Sequence, residues 1–338
     1  MIHYIGESPT CNRRGEEYVT TTRIGSYYVT DEEIGSGYLC TVVRAYKLVQ
    51  RLDGSWRQQE FAVKRLKKPS EPDSPLWRSL MDEATIGMAV DHPNLLRVHE
   101  VLEAEGSPYL FMDLLQGRPL EVLRTHNGRL APLDTEVVLE VLYQVALGLH
   151  TLHTLTVGGK HVFPVHKDVK PSNIFITSNG TVKLFDYGVC EFTGRRFEGK
   201  EGTVYGSALY MSPEQVMDRP LQGSSDQYSM GSLLYELILG RGPYSGSIPL
   251  ILLAISMPNM KPSSTPVRER CPMAARILER CWRYDPQKRY PSALWLARAL
   301  WQARRHYQRT NGLPEVRPQL TKWQNEVIAE QPAAPSCP

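Results

Sequence analysis

Val165-His166-Lys167-Asp168-Val169-Lys170-Pro171-Ser172-Asn173-Ile174 is the stretch from which the rest of the chain can be read. Asp, Lys and Asn stand at fixed offsets inside it, flanked by apolar residues. An aspartate so placed can accept a hydroxyl proton. A lysine two residues on can neutralise a transferring phosphate, and an asparagine can hold a metal ion. The plain alternative is a polar loop between two short strands, and the next motif argues against it. Thirteen residues after Asn173, Val182-Lys183-Leu184-Phe185-Asp186-Tyr187-Gly188 reads as a buried strand ending in an acid. A carboxylate there can bind Mg2+ bridging two phosphates, and the glycine behind it lets the backbone swing.

Upstream, Ile34-Gly35-Ser36-Gly37 forms a glycine-containing turn that leads into Thr41-Val42-Val43-Arg44-Ala45-Tyr46. Two glycines in a strand–turn–strand let backbone amides approach phosphates closely. A strand rather than a helix follows, which rejects both dinucleotide-binding and P-loop readings. The next strand, Phe61-Ala62-Val63-Lys64-Arg65-Leu66, carries Lys64, with Asp53-Gly54 as the hairpin signal before it. Glu83, nineteen residues beyond Lys64, falls on a helix expected over 76–90 that His92-Pro93 ends. Such a Lys–Glu pair could hold the ammonium against phosphates.

Beyond Gln116-Gly117 the pattern turns helical, most clearly over 135–153, 225–239, 274–284 and 292–304. The order is a small strand-rich half followed by a large helical half. The chain has 338 residues, more than a single core usually serves, so two lobes are expected. Net charge is +3 with no dense basic run, which gives nucleic-acid binding little support. No apolar run reaches the ~18 residues of a membrane span. Residues 1–14 lack the apolar core of a secretory signal. Six scattered cysteines without CxxC pairing read as reduced thiols of a cytoplasmic or nuclear protein.

Taken in order, these motifs resemble the eukaryotic protein kinase family. Met211-Ser212-Pro213-Glu214 and Asp226…Gly231 add two further matches, and Arg289 looks like the arginine that pairs with Glu214. The resemblance runs from about Tyr27 to Tyr307. It implies an α+β bilobal fold with a kinase domain over 25–309; the polar, mixed residues 1–24 read as an extension, the change of pattern near 116 divides the lobes into 25–115 and 116–309, and the weakly patterned 310–338 reads as a disordered tail. It implies ATP and Mg2+ as cofactors and a protein substrate. It makes Asp168 the catalytic base, Lys170 a γ-phosphate contact, Lys64 and Glu83 an ion pair, and Asn173 and Asp186 the Mg2+ ligands. Ile34, Gly35, Ser36, Gly37, Val42 and Ala62 would cover the nucleotide, with Met112 as gatekeeper and Asp113 to Leu115 as hinge. Lys170-Pro171 resembles the serine/threonine type. The runs 168–174 and 210–214 look like the MAP-kinase-kinase and NEK branches.

The chain departs from the family at several points. Cys40 replaces the third glycine of the phosphate loop, Lys167 the arginine before the base, and Tyr187 the phenylalanine after Asp186. Gly87 falls where a bulky spine residue is usual, which should weaken the helix bearing Glu83 and give leverage to an activating partner. The stretch 154–165 is several residues longer than usual. None of these removes a group that does chemistry. A pseudokinase scaffold that binds nucleotide or a partner protein is the main rival reading, but the set Lys64, Asp168, Asn173, Asp186 is complete. Small-molecule phosphotransfer is the third reading, and the 211–214 and 226–231 matches argue against it. Thr203, with Lys167, Arg195, Arg196 and Lys200 as charge partners, is the candidate for phosphorylation by an upstream kinase; Ser207 reads as structural.

Overall fold

The computed structural model describes residues 21–126, 129–193, 208–313 and 320, with the side chains of His126 and Arg129 outside the description. Two compact units emerge, one spanning Met1–Met88 and Leu96–Leu115, the other Ala89–Leu95 and Gln116–Pro338. The chain passes from the first unit to the second between Leu115 and Gln116.

The first unit is built on a six-stranded antiparallel sheet: β1 (Thr21–Ile24), β2 (Tyr27–Ser36), β3 (Cys40–Gln50), β4 (Trp56–Leu66), β5 (Val98–Ala104) and β6 (Ser107–Asp113), in the order β1-β2-β3-β4-β6-β5. Alternation sorts the side chains. Tyr27, Val29, Val43, Ala45, Phe61, Val63, Tyr109 and Phe111 fall on one face and form its core with Ile24. Tyr27 stacks on Phe111 and meets Phe61 edge-on, at 3.9 and 5.1 Å between centroids. Thr21–Ile24, assigned to the extension from sequence, pairs instead with β2 in the register Thr21↔Thr30 to Ile24↔Tyr27. The helix α1 (Pro75–Ala89) starts one residue earlier and ends one residue earlier than expected. Its Leu80, Ala84 and Ile86 are buried, and the helix continues through Gly87, which is buried too.

The second unit opens with β7 (Gly117–Pro119), the short helix α2 (Leu120–Leu123) and two two-residue strands, β8 (Thr125–His126) and β9 (Arg129–Leu130). Next come α3 (Thr135–His153), the small hairpin β10 (Thr156–Val157) and β11 (Lys160–His161), and the strands β12 (Ile174–Thr177) and β13 (Val182–Leu184). Strand β12 pairs with both β13 and β7. The helices α4 (Pro213–Val216), α5 (Gly223–Leu239), α6 (Ile248–Ser256), α7 (Thr265–Arg270), α8 (Pro272–Cys281) and α9 (Ala293–Asn311) follow. Helices α3 and α5 are buried around most of their circumference, α3 through near-continuous apolar residues and the first half of α5 through buried Ser225, Asp226, Gln227, Ser229 and Ser232. They pack on each other; α3 also packs on α9, and α5 on α8. At Gly231 a Cβ would lie 2.9 Å from Cys281 Cβ and 3.1 Å from the Trp282 ring, so only glycine permits that closeness of α5 to α8. Asn94 ties the loop after α1 into this unit, its Nδ2 donating to Gln144 Oε1 at 2.9 Å and to the Val182 carbonyl at 2.8 Å. Among the described residues no helix is long and apolar enough to cross a membrane. Residues 1–20, most of the tail, and Thr203, Ser207, Arg195, Arg196 and Lys200 lie outside the described residues.

Candidate active site

In the first unit, strand register does the positioning. Gly35 pairs with Val42, Val42 with Lys64, and Ala62 with Met112. Gly35, Val42, Ala62, Lys64 and Met112 therefore share the sheet face opposite the aromatic core. The turn between β2 and β3 is closed by Gly37 N donating to the Cys40 carbonyl at 2.9 Å. Register shifts on either side of Glu33 bend β2 just before it. Ile34 is 39 % exposed beside this turn. Asp113 ends β6; its carboxylate lies 2.7 Å from His99 Nε2. Leu115 is the last residue of this unit. The Lys64 ammonium donates to both Glu83 oxygens, at 2.8 and 2.7 Å, and both side chains are largely buried. Helix α1 thus delivers its acid to the strand lysine nineteen residues earlier.

In the second unit, the segment from His166 to Asn173 folds on itself. Asn173 closes a short 3-10 helix, Pro171–Asn173. Its Nδ2 donates to the Asp168 carbonyl and to Asp168 Oδ2, both at 2.9 Å. Lys170 Nζ lies 2.6 Å from the same Oδ2. Asp168, Lys170 and Asn173 are thereby brought together on one short loop. Because Asn173 donates through its nitrogen, its amide oxygen is the atom left for a cation. Asp186 follows β13 with φ +69, and the preceding Phe185 N donates to the Asn173 carbonyl at 3.1 Å. Tyr187 is buried, and its hydroxyl donates to the Leu184 carbonyl at 3.4 Å, the partner its polar tip requires.

A carboxylate and an amide oxygen are hard donors that suit Mg2+, which keeps several non-protein ligands. No group of three or more His, Cys, Asp or Glu able to hold a metal occurs among the described residues. Asn173 and Asp186 are thus a donor pair that could hold Mg2+.

The anchor beneath this loop was only partly visible in the sequence. Asp226, fully buried on α5, accepts from His166 N and Lys167 N at 2.9 Å each and pairs with His153 Nε2 at 2.7 Å. It can thus hold Lys167 at φ +70, with the Lys167 carbonyl taken by Gln215 Nε2 at 2.9 Å. Sequence matching marked Asp226 but gave no signal for His153 or Gln215. The Lys167 ammonium lies 3.7 Å from Glu191, a weak and half-exposed pairing. Burial alone would raise the Asp226 pKa. The hydrogen bond and charge of His153, the charge of His166 and the amide donated by His166 outweigh it, so the carboxyl titrates below its ordinary range. Glu214 behaves alike: burial opposes ionisation, and the Arg289 fork overcomes it. A carboxyl depressed in the folded state contributes stability above its unfolded pKa of about 4 and loses it as pH falls through the folded value. Stability should therefore drop steeply on acidification below about pH 4. Asp226→Asn should flatten that limb in circular-dichroism unfolding curves; parallel curves for the two proteins would refute the assignment.

Glu214 and Arg289, matched from sequence, do pair: Nη1 and Nη2 meet the two carboxylate oxygens at 2.5 and 2.9 Å. Arg289 is essentially buried and also donates to the Ser224 and Arg283 carbonyls.

The family model described as protein kinase domain matches residues 28–301. The chain is similar to the tyrosine-protein kinase MasK of Myxococcus xanthus, 29 % identical over 256 residues, covering 75 % of this chain and 40 % of the relative. It is 31 % identical over 240 residues to the serine/threonine-protein kinase PknA of Mycobacterium tuberculosis, covering 69 % and 53 %. It is 28 % identical over 236 residues to the serine/threonine-protein kinase PrkC of Bacillus subtilis, covering 70 % and 35 %. The chain spans about half or less of the length of these relatives. All three are bacterial, so the likeness to MAP-kinase-kinase and NEK branches rests on two short strings alone. The family model spans the β2–β3 turn, the Lys64–Glu83 pair, the Asp168 loop and the Glu214–Arg289 fork, and on that match the chain belongs to the protein kinase domain family.

Proposed function

We propose that this chain is an active serine/threonine protein kinase that transfers the γ-phosphate of ATP to protein hydroxyl groups. The observation that carries this reading is the Asp168–Lys170–Asn173 cluster, in which a carboxylate, an ammonium and an amide converge within hydrogen-bond distance. Asp168 accepts the proton of the attacking hydroxyl as its oxygen becomes nucleophilic. Lys170, already beside it, offsets the charge of the phosphoryl group in transit. Lys64, fixed by Glu83, holds the α and β phosphates. Asn173 and Asp186 would hold Mg2+, which neutralises phosphate charge when bound. Ile34 to Gly37, Val42, Ala62 and Met112 to Leu115 form the nucleotide-facing surface. Lys170-Pro171 favours serine and threonine as acceptors.

Removal of Mg2+ by EDTA, or Asp186→Asn, should lower transfer to a protein substrate by about a hundredfold or more, since metal charge stabilisation is worth several kcal/mol. The unfolding midpoint of Asp186→Asn should stay close to that of the parent. Undiminished transfer in EDTA would contradict the metal assignment.

A further inference from the structure

Strands β3 and β4 run on well past their neighbours. The last β2 partner on β3 is Lys47, and the first β6 partner on β4 is Phe61, yet the β3–β4 pairing continues to Gln50↔Trp56. The outer part is thus a two-stranded ribbon projecting roughly 14 Å, a form that is marginal in water when left alone. Its tip is nevertheless firmly built. Arg51 N donates to the Ser55 carbonyl at 2.7 Å and Gly54 N to the Arg51 carbonyl at 3.0 Å. Asp53 Oδ1 accepts from Ser55 N and Oγ at 2.9 and 2.6 Å, and Gly54 supplies the turn at φ +80.

This rigid tip presents large apolar side chains to solvent. Leu52 at the apex is 111 % exposed, Trp56 64 %, Leu48 45 % and Val49 39 %. The register puts Leu48 and Trp56 on one face, continuing from Tyr46, which stacks on Tyr28 at 5.0 Å. Val49 lies on the other face, opposite Arg57. Arg51 and Arg57 form a basic collar at the tip, and Lys47, further back, lies over the Tyr27 ring at 5.1 Å. The sole acid in residues 47–59 is Asp53, whose carboxylate is engaged by Ser55.

We infer that the β3–β4 hairpin is a membrane-surface binding element that inserts Leu52 and Trp56 into the headgroup region of an anionic bilayer. The shape favours lipid over a protein face. The apolar groups lie at the apex and on both sides of a convex ribbon, so a flat protein partner would cover only some of them, whereas acyl chains and headgroups surround the tip. Tryptophan is suited to that boundary, and the collar supplies attraction to phosphate-bearing headgroups within a Debye length.

The test is co-sedimentation of the intact chain with vesicles of phosphatidylcholine alone and with an equimolar mixture of phosphatidylcholine and phosphatidylserine. The chain should sediment with the mixed vesicles at low salt and be released as salt rises. Leu52→Asp should weaken binding about tenfold or more, and Trp56→Ala likewise. Arg51→Glu with Arg57→Glu should abolish the preference for phosphatidylserine. All these variants should keep the parent unfolding midpoint, because the side chains touch no core. Failure of the parent to sediment with the mixed vesicles would overturn the proposal. So would equal binding by Leu52→Asp, or the finding that Trp56→Ala instead dissociates a dimer seen by sedimentation velocity without vesicles.

Discussion

Asp168→Asn is expected to lower phosphoryl transfer by about a hundredfold to ten-thousandfold, the range that a positioned general base contributes. The substitution keeps size and shape but removes the capacity to take a proton. It also removes the negative partner of Lys170, which lies 2.6 Å away. That pair is partly exposed, so folding should lose no more than about 1 kcal/mol. The two readouts therefore separate: kcat falls by orders of magnitude while the unfolding midpoint stays put. A variant that kept near-parental turnover would remove Asp168 from the chemistry.

The second large effect is on stability. Arg289→Ala would strand the Glu214 carboxylate among buried groups, with the Ser224 and Arg283 carbonyls also losing their donor. Breaking such a pair from one side costs about 3–5 kcal/mol, which would lower the melting midpoint by roughly 10 °C. Arg289→Lys should recover only part of this, because a point charge cannot reproduce the two parallel bonds. The double variant Arg289→Ala, Glu214→Ala should be less damaged than the sum of the single ones. Strict additivity in that cycle would contradict the coupling.

How much of this was legible in the sequence depends on how local the cause is. The Asp168 loop, the acid after β13 and the strand lysine are short strings whose spacing survives in any context, and they were placed from sequence. Helix α3 was legible because its apolar positions recur over its whole length, and α5 because its apolar residues cluster from Tyr228 to Leu239. Helix α6 was not, since Ile248-Pro249-Leu250-Ile251-Leu252-Leu253 has no polar positions to show a period and carries a proline in its first turn. The last seven residues of α9, Arg305 to Asn311, have only Tyr307 to mark an apolar face and escaped for the opposite reason. The extra length at 154–165 was noticed, but its form was not. It is the β10–β11 hairpin turned by Gly158 and Gly159, and Thr193 N donates to its neighbour Val162. The loop's fixation by His153, Asp226 and Gln215 depends on residues 48 to 73 positions apart, which no local pattern encodes. The pairing of Lys64 with Glu83 was expected by resemblance, whereas the burial of both groups needed the fold.

The most direct measurement of the central claim is incubation of the purified chain with γ-labelled ATP, Mg2+ and a generic protein substrate, followed by phosphoamino-acid analysis, with Asp168→Asn alongside. The account predicts label in phosphoserine and phosphothreonine from the parent chain and almost none from the variant. Label confined to phosphotyrosine would contradict the acceptor assignment. No transfer by a folded, nucleotide-binding parent chain, or equal transfer by Asp168→Asn, would contradict the claim that this chain is an active protein kinase working through Asp168.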